Sequence, residues 1–433
     1  MQYDYDKALL IGVVTPDISE QECLTSLGEL ERLADTAGIE APFILYQNRT
    51  SPDPAVYIGK GKLDEAKNII NANDLNTVIF DGELSPTQIK NIGDILETEV
   101  IDRTMLILEI FEKHAHTGEG KLQVEIAQLR YTLPRLTGKG KSMSRLGGGG
   151  GGAGMGARRG AGETKLETER RNVKSRVAAL EEELKNLETS RGVMRSRRKK
   201  SGIINAAIAG YTNSGKSTLL NYLTDAGILA EDKLFATLDP TTRKLKLPNG
   251  SEILLTDTVG LIRKLPHHLV RAFKSTLDEI KYADIILLLG DISDPEHQNQ
   301  LEVAQSLLLD MGVSDKPVIT VYNKTDRQEN TATAESFESL YTADSLENLE
   351  SNAVYISAKT GAGIENLLNK IQEVIESLRK PAVFIFPARE SGHISYLYKH
   401  AAVSDIEYGE EYTTVKASVD GRTRGMYVKY LAK

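Results

Sequence analysis

The chain opens with short apolar runs set between helical patterns. Ala8-Leu9-Leu10-Ile11-Gly12-Val13-Val14, Phe43-Ile44-Leu45-Tyr46, Val78-Ile79-Phe80 and Val100-Ile101 read as buried strands, with helical stretches near 20–37, 61–73 and 85–97 between them. This alternation predicts a small parallel α/β domain over residues 1–112. The period then changes. Leu122, Ile126, Leu129, Leu133 and Leu136 recur at steps of 4, 3, 4 and 3, and Leu166, Val173, Val177, Leu180, Leu184 and Leu187 at steps of 7, 4, 3, 4 and 3. Both are seams of long amphipathic helices and predict an antiparallel helical hairpin over 113–200. Apolar strands return from residue 201 to about 380, as Ile203–Ala209, Leu254-Leu255-Thr256, Ile285–Leu289, Val318–Tyr322 and Val354-Tyr355-Ile356. Val383-Phe384-Ile385-Phe386 and the alternating Tyr412–Val419 predict a small α+β domain over 381–433.

Between the two helical seams, residues 137–162 hold 12 glycines in 26 residues. They also carry Lys139, Lys141, Arg145, Arg158 and Arg159 and no acidic residue. Such a segment cannot bury a core and is expected to be a mobile basic tip on the hairpin. Charge bears this out as more than local. The whole chain is at −8, yet residues 113–200 have 21 Lys and Arg against 9 Asp and Glu, net +12, leaving −20 for the rest. A basic module on an acidic protein points to one directed polyanion-binding face, with these five residues as candidate RNA contacts. A solvated helix surface and a passive linker are the competing readings.

The chemistry lies in the second α/β pattern. Gly210-Tyr211-Thr212-Asn213-Ser214-Gly215-Lys216-Ser217 fits the phosphate-loop pattern, placed after an apolar strand and before a helix start at Thr218-Leu219-Leu220. Its backbone N–H groups and the helix N-terminus make an anion site. Lys216 can reach the β- and γ-phosphates, and the Ser217 hydroxyl can hold Mg²⁺. Asn323-Lys324-Thr325-Asp326 stands at a later strand end. The Asp326 carboxylate can accept from guanine N1–H and the 2-amino group. Adenine offers neither donor, and a buried acceptor left unmet costs about 1–3 kcal/mol, so GTP and GDP are the expected nucleotides. Asp257-Thr258-Val259-Gly260 gives an Asp-x-x-Gly, with Asp257 holding the Mg²⁺ shell through water and the Gly260 N–H on the γ-phosphate. Ser357-Ala358-Lys359 is placed to close over the base, the Ala358 N–H near guanine O6. Between them, Phe235-Ala236-Thr237-Leu238-Asp239 is counted with the nucleotide site; Thr237, Thr241 and Thr242 are all candidates for a metal ligand that engages only with the γ-phosphate present. The expected fold class is α/β: a parallel α/β N-terminal domain, a helical hairpin, a P-loop GTPase domain and a small α+β C-terminal domain.

Leu261 follows Gly260, where many GTPases have a water-orienting glutamine. Leucine cannot hydrogen-bond, so hydrolysis is expected to take a group from elsewhere. His267-His268 lies nearby but fits an exposed helix start better than a base, and His114 and His116 lack a third ligand, so no further metal is assigned. Cys23 is the single cysteine, which rules out an internal disulfide and suits a reducing cytosol. No apolar run approaches the ~20 residues needed to span a bilayer. A cytoplasmic monomer without membrane insertion is expected.

The chain resembles the HflX-type GTPases, ribosome-associated members of the Obg-related group, over nearly its whole length. Beyond the nucleotide motifs, the resemblance rests on Tyr57-Ile58-Gly59-Lys60-Gly61-Lys62, Phe80-Asp81-Gly82-Glu83-Leu84-Ser85-Pro86 and Asp102-Arg103-Thr104. Gln128-Leu129-Arg130-Tyr131, Leu133-Pro134-Arg135-Leu136 and Gly160–Glu167 complete it. It implies Thr237 as the Mg²⁺ ligand beside Ser217; with the roles read above for Lys216 and Gly260, the expected catalytic set is Lys216, Thr237 and Gly260. For Asn213 it leaves open a K⁺ ion near the phosphates or a loop-stabilising role. It implies binding to the large ribosomal subunit and its RNA, and splitting of stalled ribosomes. A GTP-dependent assembly scaffold and a regulator of a protein partner are the alternatives. The chain departs from the family at Gly290, where valine is more usual, which is expected to weaken that strand end slightly.

Overall fold

The computed structural model describes residues 7–138, 157–201, 203–224, 233–235, 237–264, 269, 274–327, 352–390, 392–419 and 421–432. The chain divides into two units, residues 1–188 with 229–240 and 259–278, and residues 189–228 with 241–258 and 279–433.

In the first unit, strands β1 (Lys7–Val14), β2 (Glu40–Asn48), β3 (Thr77–Phe80) and β4 (Glu99–Asp102) form a sheet in the order β2-β1-β3-β4, all neighbours parallel. Helices α1 (Glu20–Ala37), α2 (Lys60–Asn73) and α3 (Pro86–Leu96) make the crossovers. Their starts are encoded locally. Ser19 with Glu22 and Ser85 with Gln88 are reciprocal capping boxes, and Pro86 occupies the first turn of α3. Leu9, Ile11, Ile58, Val78, Phe80 and Ile92 are fully buried in one core.

Helix α4 (Arg103–His114) follows β4 directly, capped by Asp102, and α5 (Gly118–Thr132) packs on α4. A 3₁₀ turn follows at Leu133–Gly138. Several of the stretches that carry the resemblance converge here. Asp102, fully buried, accepts from the N–H groups of Leu84 and Met105 and from the Tyr131 hydroxyl. Arg135 lies over the Tyr131 ring, 3.3 Å from its centroid, and donates to Leu84 O at 2.8 Å. Arg103, also buried, bridges Glu29 at 3.0 Å and Asp81 at 2.8 Å. Burial pushes the Asp102 carboxyl above its ordinary range, opposed by these donors.

Helix α6 runs from Ala157 to Ser201. It begins inside the stretch expected as a loop, so the tip is shorter at its C-terminal end than 137–162. Arg158 and Arg159 therefore fall on a helix; Lys139, Lys141 and Arg145 lie outside the described residues. Along α6, Leu180 is buried and Val173, Val177 and Leu184 are half-buried, matching the predicted seam, but Leu187 is exposed. Ion pairs Arg130–Glu181 and Arg176–Glu125 link α5 to α6.

The second unit has a six-stranded sheet, β5 (Asn205–Gly210), β6 (Thr241–Lys246), β7 (Glu252–Asp257), β8 (Ile285–Asp291), β9 (Val318–Asn323) and β10 (Ala353–Tyr355), in the order β10-β9-β8-β5-β7-β6. All pairs are parallel except β6 with β7. The edge strand β6 escaped the apolar pattern because only Leu245 in it is buried. Described helices α7 (Lys216–Thr224), α9 (His297–Asp310) and α10 (Ile364–Ser377) belong to this unit, while α8 (Lys274–Tyr282) straddles the division. Gly290, in β8, has a reason beyond strand propensity. A Cβ there would come within 3.1 Å of three side-chain atoms of Leu301 on α9. The C-terminal part is an antiparallel sheet of β11 (Lys380–Pro387), β13 (Tyr412–Val419) and an unpredicted, largely exposed edge strand β12 (Ala402–Tyr408). No helix among the described residues is long and apolar enough to cross a membrane.

Candidate nucleotide site

The phosphate loop leaves β5 at Gly210 and enters α7 at Lys216. Gly210 has φ +151, and a Cβ on it would overlap the Leu289 carbonyl. Gly215 has φ +93, and a Cβ on it would overlap the Asn323 amide nitrogen. Only glycine meets both demands. Asn213 takes φ +62, a conformation asparagine tolerates better than most residues.

Lys216 is buried and donates to the Tyr211 carbonyl at 2.7 Å. Burial pulls its ammonium down to about 8, against the opposing field of Asp257. The Thr212 and Ser214 hydroxyls are buried with no hydrogen-bond partner among the described residues. Buried hydroxyls of this kind call for acceptors, and phosphate oxygens supply them. The Ser217 hydroxyl donates to Asp257 Oδ2 at 2.7 Å. A hydroxyl and a carboxylate side by side are hard oxygen donors, the chemistry Mg²⁺ takes. Thr258 donates to Ile208 O at 2.7 Å, which fixes the end of β7 against β5.

The base-reading segments meet through Asn323. Its Nδ2 donates to Ser214 O at 2.8 Å, and its Oδ1 accepts from Ala358 N–H at 2.9 Å. One buried amide thus joins the phosphate loop to the Ser357-Ala358-Lys359 turn. Asp326 accepts from the Ser357 hydroxyl at 2.6 Å, which orients the carboxylate expected to read guanine. Lys324, at φ +67, pairs with Asp291 at 2.7 Å. Sequence reasoning had no signal for Asp291; only the register of β8 on β9, which sets Asp291 opposite Asn323, brings it there.

The second unit therefore assembles Gly210–Ser217, Asp257, Thr258, Asn323–Asp326 and Ser357–Lys359. The remaining predicted residues belong by their contacts to the first unit: Phe235, Thr237, Leu238, Asp239, Val259 and Gly260. Ala236 lies outside the described residues, as do His267 and His268. Leu261 is buried. His114 is satisfied by the Ile110 carbonyl at 2.8 Å.

Three family models match consecutive parts of the chain: a GTP-binding GTPase N-terminal region over 25–112, a GTP-binding GTPase middle region over 114–198 and a 50S ribosome-binding GTPase over 205–324. The GTPase HflX of Lacrimispora saccharolytica is 47% identical over 414 residues, spanning 96% of this chain and 93% of that protein. The GTPase HflX of Caldanaerobacter subterraneus is 45% identical over 416 residues, spanning 96% and 91%. Among solved structures, a GTP-binding protein from Sulfolobus solfataricus in complex with GDP is 26% identical, covering 86% of this chain and 99% of that one, at a TM-score of 0.43. With the three family models side by side and 45–47% identity to these HflX relatives over 96% of its length, the chain belongs to the HflX family of GTPases, P-loop enzymes that hydrolyse GTP.

Proposed function

We propose that this GTPase binds the large ribosomal subunit in its GTP state, acts there to split stalled or idle ribosomes, and leaves on hydrolysis. The observation that carries this reading is the charge distribution: net +12 over residues 113–200 in a chain at −8. Lysine and arginine displace counterions from RNA phosphate, so such a module gives salt-sensitive binding to an RNA-rich partner. The match of 205–324 to the 50S ribosome-binding GTPase model agrees with it.

In this reading residues 1–112, 113–200, 201–380 and 381–433 are separate modules, and the basic tip over 137–162 reaches the RNA. Ser217 and Thr237 would hold Mg²⁺, with Asp257 acting through water, and the ion would supply positive charge beside the β- and γ-phosphates. Lys216 holds the same oxygens. The Gly260 N–H senses the γ-phosphate. Asn213 offers an oxygen for K⁺ at the loop. Leu261 supplies no group to orient water, so the ribosome supplies or positions one. The protein works as a cytoplasmic monomer.

Co-sedimentation with 50S and 70S particles tests this. The GTP analogue should pull the protein down with 50S subunits and GDP should not, and the analogue form should convert 70S to subunits. Equal recovery with both nucleotides, or binding that ignores salt, would defeat the proposal. Nucleotide-dependent binding without subunit separation would leave a GTP-dependent scaffold.

A further inference from the structure

The ends of β8 and β9 grip each other twice. Ile292 N–H donates to the Asn323 carbonyl at 3.0 Å, and the Lys324 ammonium pairs with Asp291 Oδ2 at 2.7 Å. The Lys324 and Asp291 side chains are only 13% and 14% exposed. Asp291 is itself fixed. Its Oδ1 accepts from the Ser293 N–H at 3.1 Å and the Ser293 hydroxyl at 2.6 Å, a local turn that leaves Oδ2 for the ammonium. Lys324 takes φ +67, a conformation a lysine keeps only where its surroundings hold it.

This pair decides where a positive charge sits in the half of the site that meets the base. Asp326, two residues on from Lys324, is the next carboxylate in the chain. Its Oδ1 accepts from the Ser357 hydroxyl, while its Oδ2 has no partner among the described residues. A lysine ammonium is a compact charge on a flexible stem. Left without a counter-charge in a poorly hydrated place, it is strongly disfavoured and moves to whatever carboxylate it can reach. Asp326 is the carboxylate that guanine needs.

We propose that Asp291 is a positioning residue for guanine recognition: it holds the Lys324 ammonium aside and so keeps the Asp326 carboxylate free for the guanine N1–H and 2-amino group. The inference rests on the reading of Asp326 as the carboxylate that meets guanine. Every residue it uses lies in the second unit. Asp291 acts through Lys324 and need touch no nucleotide. With Asp291 gone, the ammonium and the 2-amino group compete for one acceptor, and the site loses the contact that tells guanine from bases without that group.

The test measures GDP against inosine diphosphate on the full-length chain by calorimetry. Inosine lacks the 2-amino group, so the ratio of the two affinities reads the Asp326 contact and should be about tenfold or more for a charged acceptor. Asp291→Asn keeps an oxygen for Ser293 and turns the group facing Lys324 into a donor, which expels the ammonium. It should lower GDP affinity and cut the ratio by about fivefold or more. Lys324→Met removes the charge and keeps an unbranched stem; it should weaken both nucleotides alike and keep the ratio. In that background Asp291→Asn should change the ratio by less than about twofold, because no charge is left to restrain. A pair that served stability alone would lower the melting temperature of Asp291→Asn and leave the ratio as it was, which overturns the inference. A ratio that falls as far in the Lys324→Met background overturns it too. So does a ratio abolished by Lys324→Met alone, a result that stands even if Asp291→Asn fails to fold. If the wild type shows no preference for GDP, the reading of Asp326 falls and the inference with it; a wild-type preference that Asp291→Asn preserves removes the role of Asp291 alone.

Discussion

At the scale of single residues, Asp326 and Lys216 make the most direct demands. The Ser357 hydroxyl holds Asp326 in one orientation, so its two oxygens face one set of donors. Asp326→Asn turns one acceptor into a donor. GTP affinity should fall by about 5- to 150-fold, equivalent to the 1–3 kcal/mol of an unmet buried group, while xanthosine triphosphate should gain, as competition binding will show. Lys216 makes a demand on pH. Its ammonium is lowered to about 8 by burial, and phosphate oxygens raise it again on binding. The bound form therefore holds the proton above pH 8 where the free form has begun to lose it. Nucleotide binding should take up protons above about pH 8 and weaken as pH climbs from there, which calorimetry in buffers of different ionisation enthalpy will measure. Well below pH 8 Lys216 is charged in both forms and adds no pH dependence.

Elements depend on fits between neighbours. Gly290 shows how such a fit is hidden from a pattern. By strand propensity it is a weakness, yet in the structure it is the space Leu301 occupies on the face of α9. Gly290→Val should destabilise this chain by about 1–3 kcal/mol through overpacking unless Leu301 is shortened with it. Urea unfolding of the single variant and of Gly290→Val with Leu301→Ala will show whether the second change restores stability. Strands with buried centres were legible from their apolar runs, as β1, β8 and β9 were. Edge strands were not: β6 buries only Leu245 and β12 buries none of its residues, so they carry no apolar period to detect. Helix starts at Ser19 and Ser85 were set by capping chemistry within four residues, and they fall where the chain pattern put them.

For the whole molecule, the basic module is the feature to test. Replacing Lys139, Lys141, Arg145, Arg158 and Arg159 with alanine should lower ribosome affinity and flatten its dependence on salt, since each lost phosphate contact removes a released counterion. GDP affinity of the isolated protein should stay within about twofold, as the phosphate loop begins only at Gly210 and no charge in it has changed. A salt titration of 50S co-sedimentation separates the two effects. Were ribosome binding to keep its affinity and slope, the tip would be a linker and the +12 charge a solvated surface.

What the sequence determined by itself is what short spacing encodes. Gly210 and Gly215 mark a backbone that no side chain fits, Lys216-Ser217 place an ammonium and a hydroxyl at a helix start, and Asp326 supplies the carboxylate expected to accept from guanine. Those are properties of neighbours in the chain, and physical chemistry acts on them without knowing the fold. Tertiary structure decided the rest. Asn323 joins the phosphate loop to Ala358 only because β9 lies where it does, and Asp291 meets Lys324 only through strand register. The family motifs around Asp102, Tyr131 and Arg135 become one buried network only when α5 returns over β4. Asp239 reaches the cap of α5 across 122 residues, a partnership of charge and space between segments whose patterns give no sign of each other. Local period fixes which face a residue presents; only packing fixes what that face meets.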